Sequence, residues 1–392
     1  MRNKKAISIV VLAIAYILSS TLSYAVFSQG KNSNSQKKSL DPPSTVQMDG
    51  KDSKIVFNES LPKTEECPLS GVLYSVPQRE WWEKHRPLGV MIENHKEARP
   101  QSGLSFADIV YEIVAEGGIT RFLAIYHCQD AGIIGPIRSA RTYFLDYISE
   151  YGSDPLYTHV GGANTPGPAN ALGQIGDYGW TLYNDLNQFS IGFPTFWRDY
   201  DRLEHVVDTE HTMYSTTEKL WKFAGTRGLT NVGKDDIPWD EGFVNYTFKD
   251  DGKTSPSNPQ TIHLEFWSID PDYFVDWTYT ASTNSYTRKN KESAYTDKNN
   301  NKTLTAKNIV ALFVQEFSAN DGYENNVHVL YKTKGTGKSA VFVDGQRIDG
   351  TWKKNSRTSR TLLLDSSGNV IKLNRGTIWF SVLPTEGVVS VK

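Results

Sequence analysis

Two runs rich in β-branched and aromatic residues flank a pair of glycines, Gly117-Gly118. The first run covers residues 109–115 and the second covers residues 119–128. Residues of these types favour strands, and a glycine pair between two such runs is typical of a tight hairpin turn. The sequence therefore predicts an antiparallel hairpin. With a two-residue turn, Glu112 and Arg121 become diagonal neighbours on one face of this hairpin.

The residues around the hairpin alternate between strand and helix patterns. Residues 88–92 have the pattern of a buried strand. A helix is predicted over residues 136–151, because proline is favoured in a first helical turn and a glycine follows the end. Another helix is predicted over residues 216–226, because a Ser-Thr-Thr-Glu capping box opens it. This alternation favours a layered α+β (or α/β) N-terminal domain over residues 67–228.

The second half of the chain has the two-residue alternation that is typical of strands with one buried face. Examples are residues 263–267, 274–279 and 309–314. Asp-Gly pairs between these runs supply turns. We therefore predict a mainly antiparallel β domain over residues 229–392, with the domain boundary in a polar, turn-rich segment at residues 228–259.

The N-terminus, residues 1–27, has the pattern of a membrane anchor or a signal segment. Three basic residues precede an uncharged apolar run from Ala6 to Phe27, which is long enough to cross a bilayer as a helix. The positive-inside rule then places the rest of the chain outside the cytoplasm. Two alternatives stay open: a single-pass anchor in the cell membrane, or a signal peptide removed after Ala25 to give a secreted protein.

Residues 28–66 are polar and poor in aromatic side chains, so we predict a disordered tether that cannot bury enough apolar surface to fold. The two cysteines of the chain, Cys67 and Cys128, follow it. An even pair outside the cytoplasm permits one disulfide, which is our prediction. The alternative is two small buried thiols.

The overall charge excludes one class of partner. The chain has 42 basic and 44 acidic residues, for a net charge of −2. A near-neutral balance gives no reason to expect binding to nucleic acid, so local charge must carry any binding argument.

Charged residues interrupt the apolar pattern of the N-terminal half. Arg138 and Arg141 lie three residues apart at the predicted helix start, where the helix dipole and mutual repulsion disfavour cations. An anion should compensate them. It is either an internal carboxylate, from Asp108, Glu112 or Glu116, or the carboxylate, phosphate or sulfate of a ligand. The first alternative is an internal ion-pair network and the second is a binding site.

Three further patterns suggest chemistry. His159 precedes two glycines at a predicted strand end, where it is either a general base or a structural histidine. Glu112 and Glu116 have the residue type of a glycan hydrolase pair. His205 and His211, with Glu204 and Glu210, lack a zinc-protease spacing, so we predict no metal and no cofactor.

Two patterns in the C-terminal half favour ordinary structure. The segment Gly335–Ser339 resembles the end of a phosphate-binding loop, but Lys332 stands where the first glycine belongs, and strands flank it on both sides. We therefore interpret it as a β-turn. The tryptophans of this half either stack on sugar rings or belong to the core; they are Trp267, Trp277, Trp352 and Trp379.

Together these motifs resemble the YerB-like family of bacterial extracytoplasmic lipoproteins, a two-part domain of unknown function. The N-terminal matches are Asn94, Arg99–Gly103, Asp108–Glu112, Glu116–Phe122, Gly135–Arg141, Arg198, Asp199, Arg202 and His211. The C-terminal matches are Tyr286, Arg288, Asn308–Val310, Gly337, Lys338 and Gly350–Lys353. The resemblance implies a cell-envelope location and paired domains, but no reaction. The chain departs from the family in lacking the lipid-attachment cysteine, so the N-terminal helix would have to supply the anchor, and in the residues beside His211.

We therefore expect a membrane-tethered extracytoplasmic protein that binds an anionic envelope component in an Arg/Glu-lined cleft. The predicted ligand-binding residues are Asn94, Arg99, Gln101, Asp108, Glu112, Glu116, Arg121, Arg138, Ser139, Arg141, His159, Arg198, Asp199, Arg202 and His211. One alternative is a hydrolase or lyase acting on glycan or peptidoglycan, with Glu112 or Glu116 and His159 as acid and base. The other is a structural partner of envelope machinery. The expected partners are the cell membrane, through the N-terminal helix, and an anionic wall ligand or an envelope protein.

Overall fold

A computed structural model describes residues 47–49, 54–252, 260–291 and 293–392. The predicted anchor and the first part of the predicted tether lie outside the described residues. Within the described ranges, none of the helices is both long and apolar enough to cross a membrane. The described residues belong to one compact unit.

Strands dominate the described chain, and the helices are few and short. The helices are α1 Val76–Trp82, α2 Thr142–Ile148, α3 Ala171–Asp177, α4 Gln188–Ile191 and α5 Thr217–Thr226. The first strands are β1 Gln47–Asp49, β2 Lys54–Val56, β3 Glu65–Glu66, β4 Leu73–Tyr74, β5 Leu88–Glu93, β6 Ile109–Glu116, β7 Ile119–Tyr126, β8 Ile133–Ile134, β9 Leu156–His159, β10 Asp185–Asn187, β11 Trp197–Arg198, β12 Met213–Thr216 and β13 Phe248–Lys249. The later strands are β14 Thr261–Glu265, β15 Val275–Thr280, β16 Ser285–Asn290, β17 Ser293–Ala294, β18 Thr305–Ala306, β19 Asn308–Val314, β20 Glu316–Ser318, β21 Val329–Tyr331, β22 Gly335–Val343, β23 Gln346–Lys354, β24 Leu362–Asp365, β25 Leu373–Asn374, β26 Ile378–Pro384 and β27 Val388–Val391.

Ten strands of the described part form the central sheet. Their order is β10-β9-β5-β7-β6-β26-β19-β22-β23-β24. The first five come from the N-terminal half and the last five come from the C-terminal half, and β26 joins the halves by pairing in parallel with both β6 and β19. Strands from both sides of residue 228 share this sheet. The predicted domain boundary near that residue stays a prediction.

A second sheet consists of C-terminal strands alone. Its order is β17-β16-β15-β14-β27, with antiparallel pairing throughout. Trp277 of this sheet packs against Trp379 of the central sheet, with ring centroids 5.2 Å apart. Both rings are fully buried, so these two tryptophans belong to the core. The layered N-terminal part and the mainly antiparallel C-terminal part confirm the predicted fold class.

The predicted hairpin forms as β6 and β7, but its register differs from the prediction. A bulge between Val114 and Glu116 shifts the pairing, so that Arg121 lies opposite Ile113 and Glu112 lies opposite Phe122. Because neighbouring residues of a strand point to opposite faces, the shift places Glu112 and Arg121 on different faces of the sheet. The predicted diagonal contact between them is wrong.

The predicted helix over residues 136–151 begins later than expected. Its first part is extended, because its backbone bonds to neighbouring strands instead of to itself. The Arg138 N–H donates to the Met91 carbonyl at 2.9 Å, and the Arg138 carbonyl accepts from Val160 at 3.0 Å. Helix α2 then starts at Thr142, with Arg141 as an extended N-cap residue. The arginines therefore do not share a helix face.

Part of the predicted tether, from Lys54 onward, packs on the N-terminal half. The Ile55 N–H donates to an Asp130 carboxylate oxygen at 2.7 Å. Phe57 is buried against Trp81, with ring centroids 5.6 Å apart. Average composition does not reveal such contacts.

Candidate functional site

The carboxyl ends of three parallel strands meet at one edge of the central sheet. Strands β5, β9 and β10 are parallel neighbours, and they end at Glu93, His159 and Asn187. The extended segment 137–140 lies across this edge and carries Arg138 and Ser139. Sheets of this kind bind ligands at the carboxyl ends of their strands. We call the charged cluster here the carboxyl-edge network; it consists of Glu93, Glu116, Arg121, Arg138, Arg141, Glu210 and His211.

Glu116 joins two of the predicted arginines. One of its carboxylate oxygens lies 3.1 Å from an Arg121 terminal nitrogen, and the other accepts from Arg141. Arg121 also donates to the Ser139 carbonyl at 2.9 Å. Burial lowers the pKa of both guanidinium groups. The two arginines share one internal carboxylate, which balances one of their two positive charges.

Arg138 is held by two other carboxylates. Its Nε lies 3.0 Å from Glu93 Oε1, and a terminal nitrogen lies 3.1 Å from Glu210 Oε1. The second Glu93 oxygen accepts from His211 Nδ1 at 2.8 Å. This hydrogen bond raises the pKa of His211, with burial acting in the opposite direction. All three predicted arginines thus have internal partners, as in the internal-network alternative.

Two more groups extend the network toward solvent. The His95 ring stacks on the His211 ring, with centroids 4.9 Å apart and planes 7° from parallel. Glu97, in the short 3₁₀ turn after His95, brings Oε2 to 3.9 Å from His211 Nε2. Sequence reasoning missed Glu93, His95 and Glu97. A glutamate that ends an otherwise apolar buried strand was the available signal for Glu93.

Glu112 lies elsewhere and has a different partner. It forms a bidentate ion pair with Arg288 of the C-terminal half, at 2.7 and 2.9 Å, and neither side chain is exposed. Thr120 and Trp379 donate to the same carboxylate, each at 3.0 Å. The prediction that Glu112 balances Arg121, Arg138 and Arg141 is therefore wrong, because the hairpin bulge turns Glu112 to the other face.

Asn94, Arg99 and Gln101 form a connection between the halves. Asn94 is buried and accepts from Arg99 Nε at 3.1 Å and from the Tyr295 hydroxyl. Arg99 also donates to the Asp272 carbonyl at 3.0 Å. Gln101 is buried and donates to the Glu93 carbonyl at 2.8 Å. These predicted residues hold the sheets together.

Asp108 lies beside the cysteines. Cys67 and Cys128 form a disulfide. Asp108 accepts from the Ser70 hydroxyl at 3.0 Å and from the Cys128 N–H at 3.0 Å. Burial raises the pKa of Asp108 to about 6, and these hydrogen bonds oppose the increase. Asp108 thus secures the start of the ordered chain.

The remaining predicted residues are dispersed. His159 is fully buried, with its ring nitrogens against the Gly161 carbonyl and an Asp185 oxygen. A general base in this position has no access to a polymer. Arg198 contacts Thr209 and Thr212, Asp199 accepts from the Asp201 N–H, and Arg202 donates to Ser102 and Asn299.

The metal cluster considered for His205 and Glu204 does not form. His205 contacts the Leu203 carbonyl at 2.8 Å and the Glu97 carbonyl at 3.0 Å. Glu204 pairs with Lys298 at 2.7 Å.

A large groove lies in the C-terminal half, on the hairpin of β22 and β23. Its volume is about 1040 Å³. Four of its lining residues are cations, and we call it the basic groove. It is lined by Phe313, Gln315, Lys332, Lys334, Gly335, Thr336, Gly337, Lys338, Ser339, Arg347, Asp349, Gly350, Trp352 and Thr385.

The floor of the basic groove explains the glycine-rich sequence of β22. The Trp352 indole N–H donates to the Phe313 carbonyl at 2.8 Å, directly beneath Gly337. A Cβ at Gly337 would lie 2.5 Å from the Trp352 Nε1 atom, so a side chain does not fit there. The segment is part of strand β22, so the predicted β-turn is wrong, and the segment is not a phosphate-binding loop. Sequence reasoning did not predict the groove.

Two family models match the chain. They are the N-terminal domain of the protein of unknown function DUF3048, at residues 74–230, and its C-terminal domain, at residues 262–380. The chain belongs to the YerB-like family. "Putative lipoprotein YerB" of Bacillus subtilis (strain 168) is 26% identical over 331 residues, which are 84% of this chain and 89% of that protein. The crystal structure of YerB from Bacillus subtilis superposes with a TM-score of 0.67 at 24% identity, covering 84% of this chain and 100% of that one.

Both candidate sites lie within the YerB-like matches. The carboxyl-edge network falls in the N-terminal match, and the residues of the basic groove from 313 to 352 fall in the C-terminal match. The family description names no reaction, so the function has to be argued from the sites themselves.

Proposed function

We propose that this protein is an envelope-associated extracytoplasmic protein that binds an anionic envelope polymer along the basic groove. The N-terminal apolar run and the printed name of the relative, "Putative lipoprotein YerB", support the location. The expected Arg/Glu-lined cleft is a weaker candidate, because Arg121, Arg138 and Arg141 already contact internal carboxylates. The basic groove replaces it as the proposed binding site.

One observation carries the proposal. Lys332 and Lys338 line the groove and are exposed, and among the described residues neither has a carboxylate within ion-pair distance. The two other cations are paired, Lys334 with Asp146 at 2.7 Å and Arg347 with its neighbour Asp349 at 2.9 Å. Cations gathered in a concave surface focus their field and attract an anion.

The shape and lining favour a polymer over a compact ligand. A volume of about 1040 Å³ is at the upper end of the range for small-molecule sites, which is roughly 300–1,000 Å³. Phe313 contributes apolar surface and Gln315 contributes an exposed amide. Within the described residues the buried Ser339 hydroxyl has no hydrogen-bond partner. Charge, hydroxyl and apolar surface together suit an anionic chain with a polyol or sugar backbone.

The enzymatic alternative has no open acid and base. Glu112 and His159 are fully buried, and their polar partners are internal. A glycan in solvent cannot reach either group.

The structural-partner alternative has one observation in its favour. Phe189 and Phe193, four residues apart in the chain, are 75% and 83% exposed, and Phe189 lies beside Gly161. Exposed apolar patches are typical of protein interfaces.

A charge-reversal experiment tests the groove. Lys332→Glu with Lys338→Glu should abolish most of the retention of the protein on purified cell walls and on phosphodiester wall polymer. The retention of the wild-type protein should fall as salt rises, because exposed charges are screened. Lys222→Glu with Lys372→Glu is the matched control, since it changes the net charge equally on exposed positions outside the groove. Equal binding by the two double variants would contradict the proposal.

A further inference from the structure

Three side chains at the exposed end of the carboxyl-edge network have the donor types of a metal site. His95, Glu97 and His211 offer ligand atoms that all lie within 4.8 Å of one another. His211 Nε2 is 3.9 Å from Glu97 Oε2. Tetrahedral zinc with bonds of about 2.0–2.1 Å separates neighbouring ligand atoms by about 3.4 Å. A closure of about half an ångström therefore brings this pair to bonding distance.

His211 is already oriented as a metal ligand. Its Nδ1 donates to Glu93 Oε2 at 2.8 Å, which leaves Nε2 pointing toward Glu97. Metal-binding histidines typically donate their second ring nitrogen to a carboxylate in this way. Glu93 is itself held by Arg138 at 3.0 Å. The buried part of the site is thus rigid before any ion arrives.

His95 and Glu97 supply the movable part. Parallel rings cannot direct their in-plane lone pairs at one ion, so the His95 ring must turn out of its stack on His211. Its side chain is partly exposed, and its described hydrogen bond, from the Glu97 N–H, is long at 3.4 Å. The Glu97 side chain is 49% exposed. His205 holds the Glu97 carbonyl at 3.0 Å, which fixes the backbone while the side chains adjust.

The local charge favours a cation. Three carboxylates surround the position, those of Glu93, Glu97 and Glu210, whereas Arg138 is the guanidinium paired with them. With neutral imidazoles these four groups carry a net charge of −2, which a divalent ion cancels.

We propose that His95, Glu97 and His211 bind one divalent transition-metal ion of the zinc class. Two imidazoles and one carboxylate match the ligand preference of zinc and its neighbours, whereas magnesium and calcium prefer oxygen alone. Three protein ligands leave a fourth position open to water or an anion. The described residues hold two other groups of comparable donors. Cys67 with Asp108 and Cys128 is excluded because its cysteines are joined in a disulfide, and Glu93 with Glu210 and His211 offers one nitrogen only and already pairs both carboxylates with Arg138.

Metal titration of the full chain tests this site. The protein is purified in detergent, stripped with a chelator, and titrated with zinc by calorimetry and with cobalt by visible absorption. We expect one equivalent of metal at micromolar protein or below, with a cobalt spectrum that reports nitrogen and oxygen ligands. His95→Ala and Glu97→Gln should each weaken zinc binding by about 10-fold to 100-fold or more.

A matched histidine provides the control. His263 also lies between two carboxylates, Asp276 at 2.8 Å and Glu265 at 3.2 Å, but on the second sheet. His263→Ala should leave the zinc affinity unchanged. Zinc should also raise the unfolding midpoint of the wild type and not that of His95→Ala, because binding stabilises the folded state. No saturable zinc binding, or equal affinity in wild type, His95→Ala and Glu97→Gln, would overturn the proposal.

The two sites are independent in this test. Loss of the metal site through His95→Ala leaves the basic groove intact, and charge reversal at Lys332 and Lys338 leaves the metal ligands intact. Failure of one proposal is therefore distinguishable from failure of the other.

Discussion

Removing one partner of the Glu112–Arg288 pair should destabilise the protein strongly. Neither side chain is exposed, and the two are joined by hydrogen bonds of 2.7 and 2.9 Å. Breaking a buried ion pair by deleting one member typically costs about 3–5 kcal/mol, because the other charge is left without compensation. We expect Arg288→Met to lower the free energy of unfolding by about 3 kcal/mol, the lower end of that range. The reason is that Thr120 and Trp379 still donate to Glu112.

Removing the carboxylate should cost more. Glu112→Met leaves the guanidinium of Arg288 with no carboxylate, although four aromatic rings lie within 5.6 Å of it. Contacts of this kind contribute about 2 kcal/mol when desolvated, less than the charge partner they would replace. The same change deprives Thr120 and Trp379 of their acceptor, at about 1–3 kcal/mol for each unsatisfied group. We expect about 4–5 kcal/mol.

The double variant distinguishes the cost of an uncompensated charge from the cost of the hydrogen bonds lost around it. Replacing both charges by methionine removes the uncompensated charge but still leaves Thr120 and Trp379 without their acceptor, so the cost should be about 3 kcal/mol and not the sum of the single costs. Urea unfolding of residues 47–392, followed by tryptophan fluorescence, measures all three variants. Lys63→Met, which breaks an exposed pair with Glu59, is the control and should cost less than about 1 kcal/mol. A cost below about 1 kcal/mol for Arg288→Met would refute this reasoning.

Two further predictions concern buried groups of the N-terminal half. Burial lowers the pKa of His127 from 6.5 to about 3. Between these values the folded protein keeps His127 neutral, whereas the unfolded chain takes up a proton. The free energy of unfolding should therefore fall as pH decreases from 6.5 toward 3, by about 1.4 kcal/mol per pH unit. Asp108 has a pKa raised to about 6, so between pH 6 and 4 it increases the free energy of unfolding as pH falls, opposite to His127. Comparing the urea midpoints of wild type and His127→Gln across pH isolates the effect of His127. A difference between them that is the same at every pH would contradict the prediction. Thiol labelling of the unfolded, unreduced protein should be silent if Cys67 and Cys128 are bridged, and two labelled thiols would disprove the bridge.

Local sequence patterns predicted the elements of the fold well. The hairpin and helix α5 follow from glycine placement and from a capping motif. The N-cap is Thr216, whose hydroxyl accepts from the Lys219 N–H at 3.1 Å, and not Ser215 as the motif predicted. The hairpin register did not follow, because a bulge inserts one residue and changes which face each side chain occupies. Helix α2 was predicted too long, because its first residues form hydrogen bonds with distant strands.

The sites were harder to predict, since they depend on contacts between distant segments. The partner of Glu112 lies 176 residues away, in a strand that the sequence pattern assigned to another domain. Glu93 meets His211 across 118 residues. The basic groove arises from the pairing of β22 with β23. Its one local sequence feature is Gly337, whose lack of a side chain leaves room for Trp352. Local composition carries no information about contacts between residues that are far apart in the chain.

Strand β26 sets the order in which this protein can fold. It lies between β6 and β19, and its residues Ile378–Val382 pair with Ile109–Ile113, about 270 residues earlier in the chain. A chain synthesised from its N-terminus therefore cannot complete its main sheet until β26 has been made. Until then β6 is an open edge, which invites pairing with other chains. A fragment that stops at residue 230 would keep that edge open, so the N-terminal half alone should associate with other chains more readily than the whole chain does.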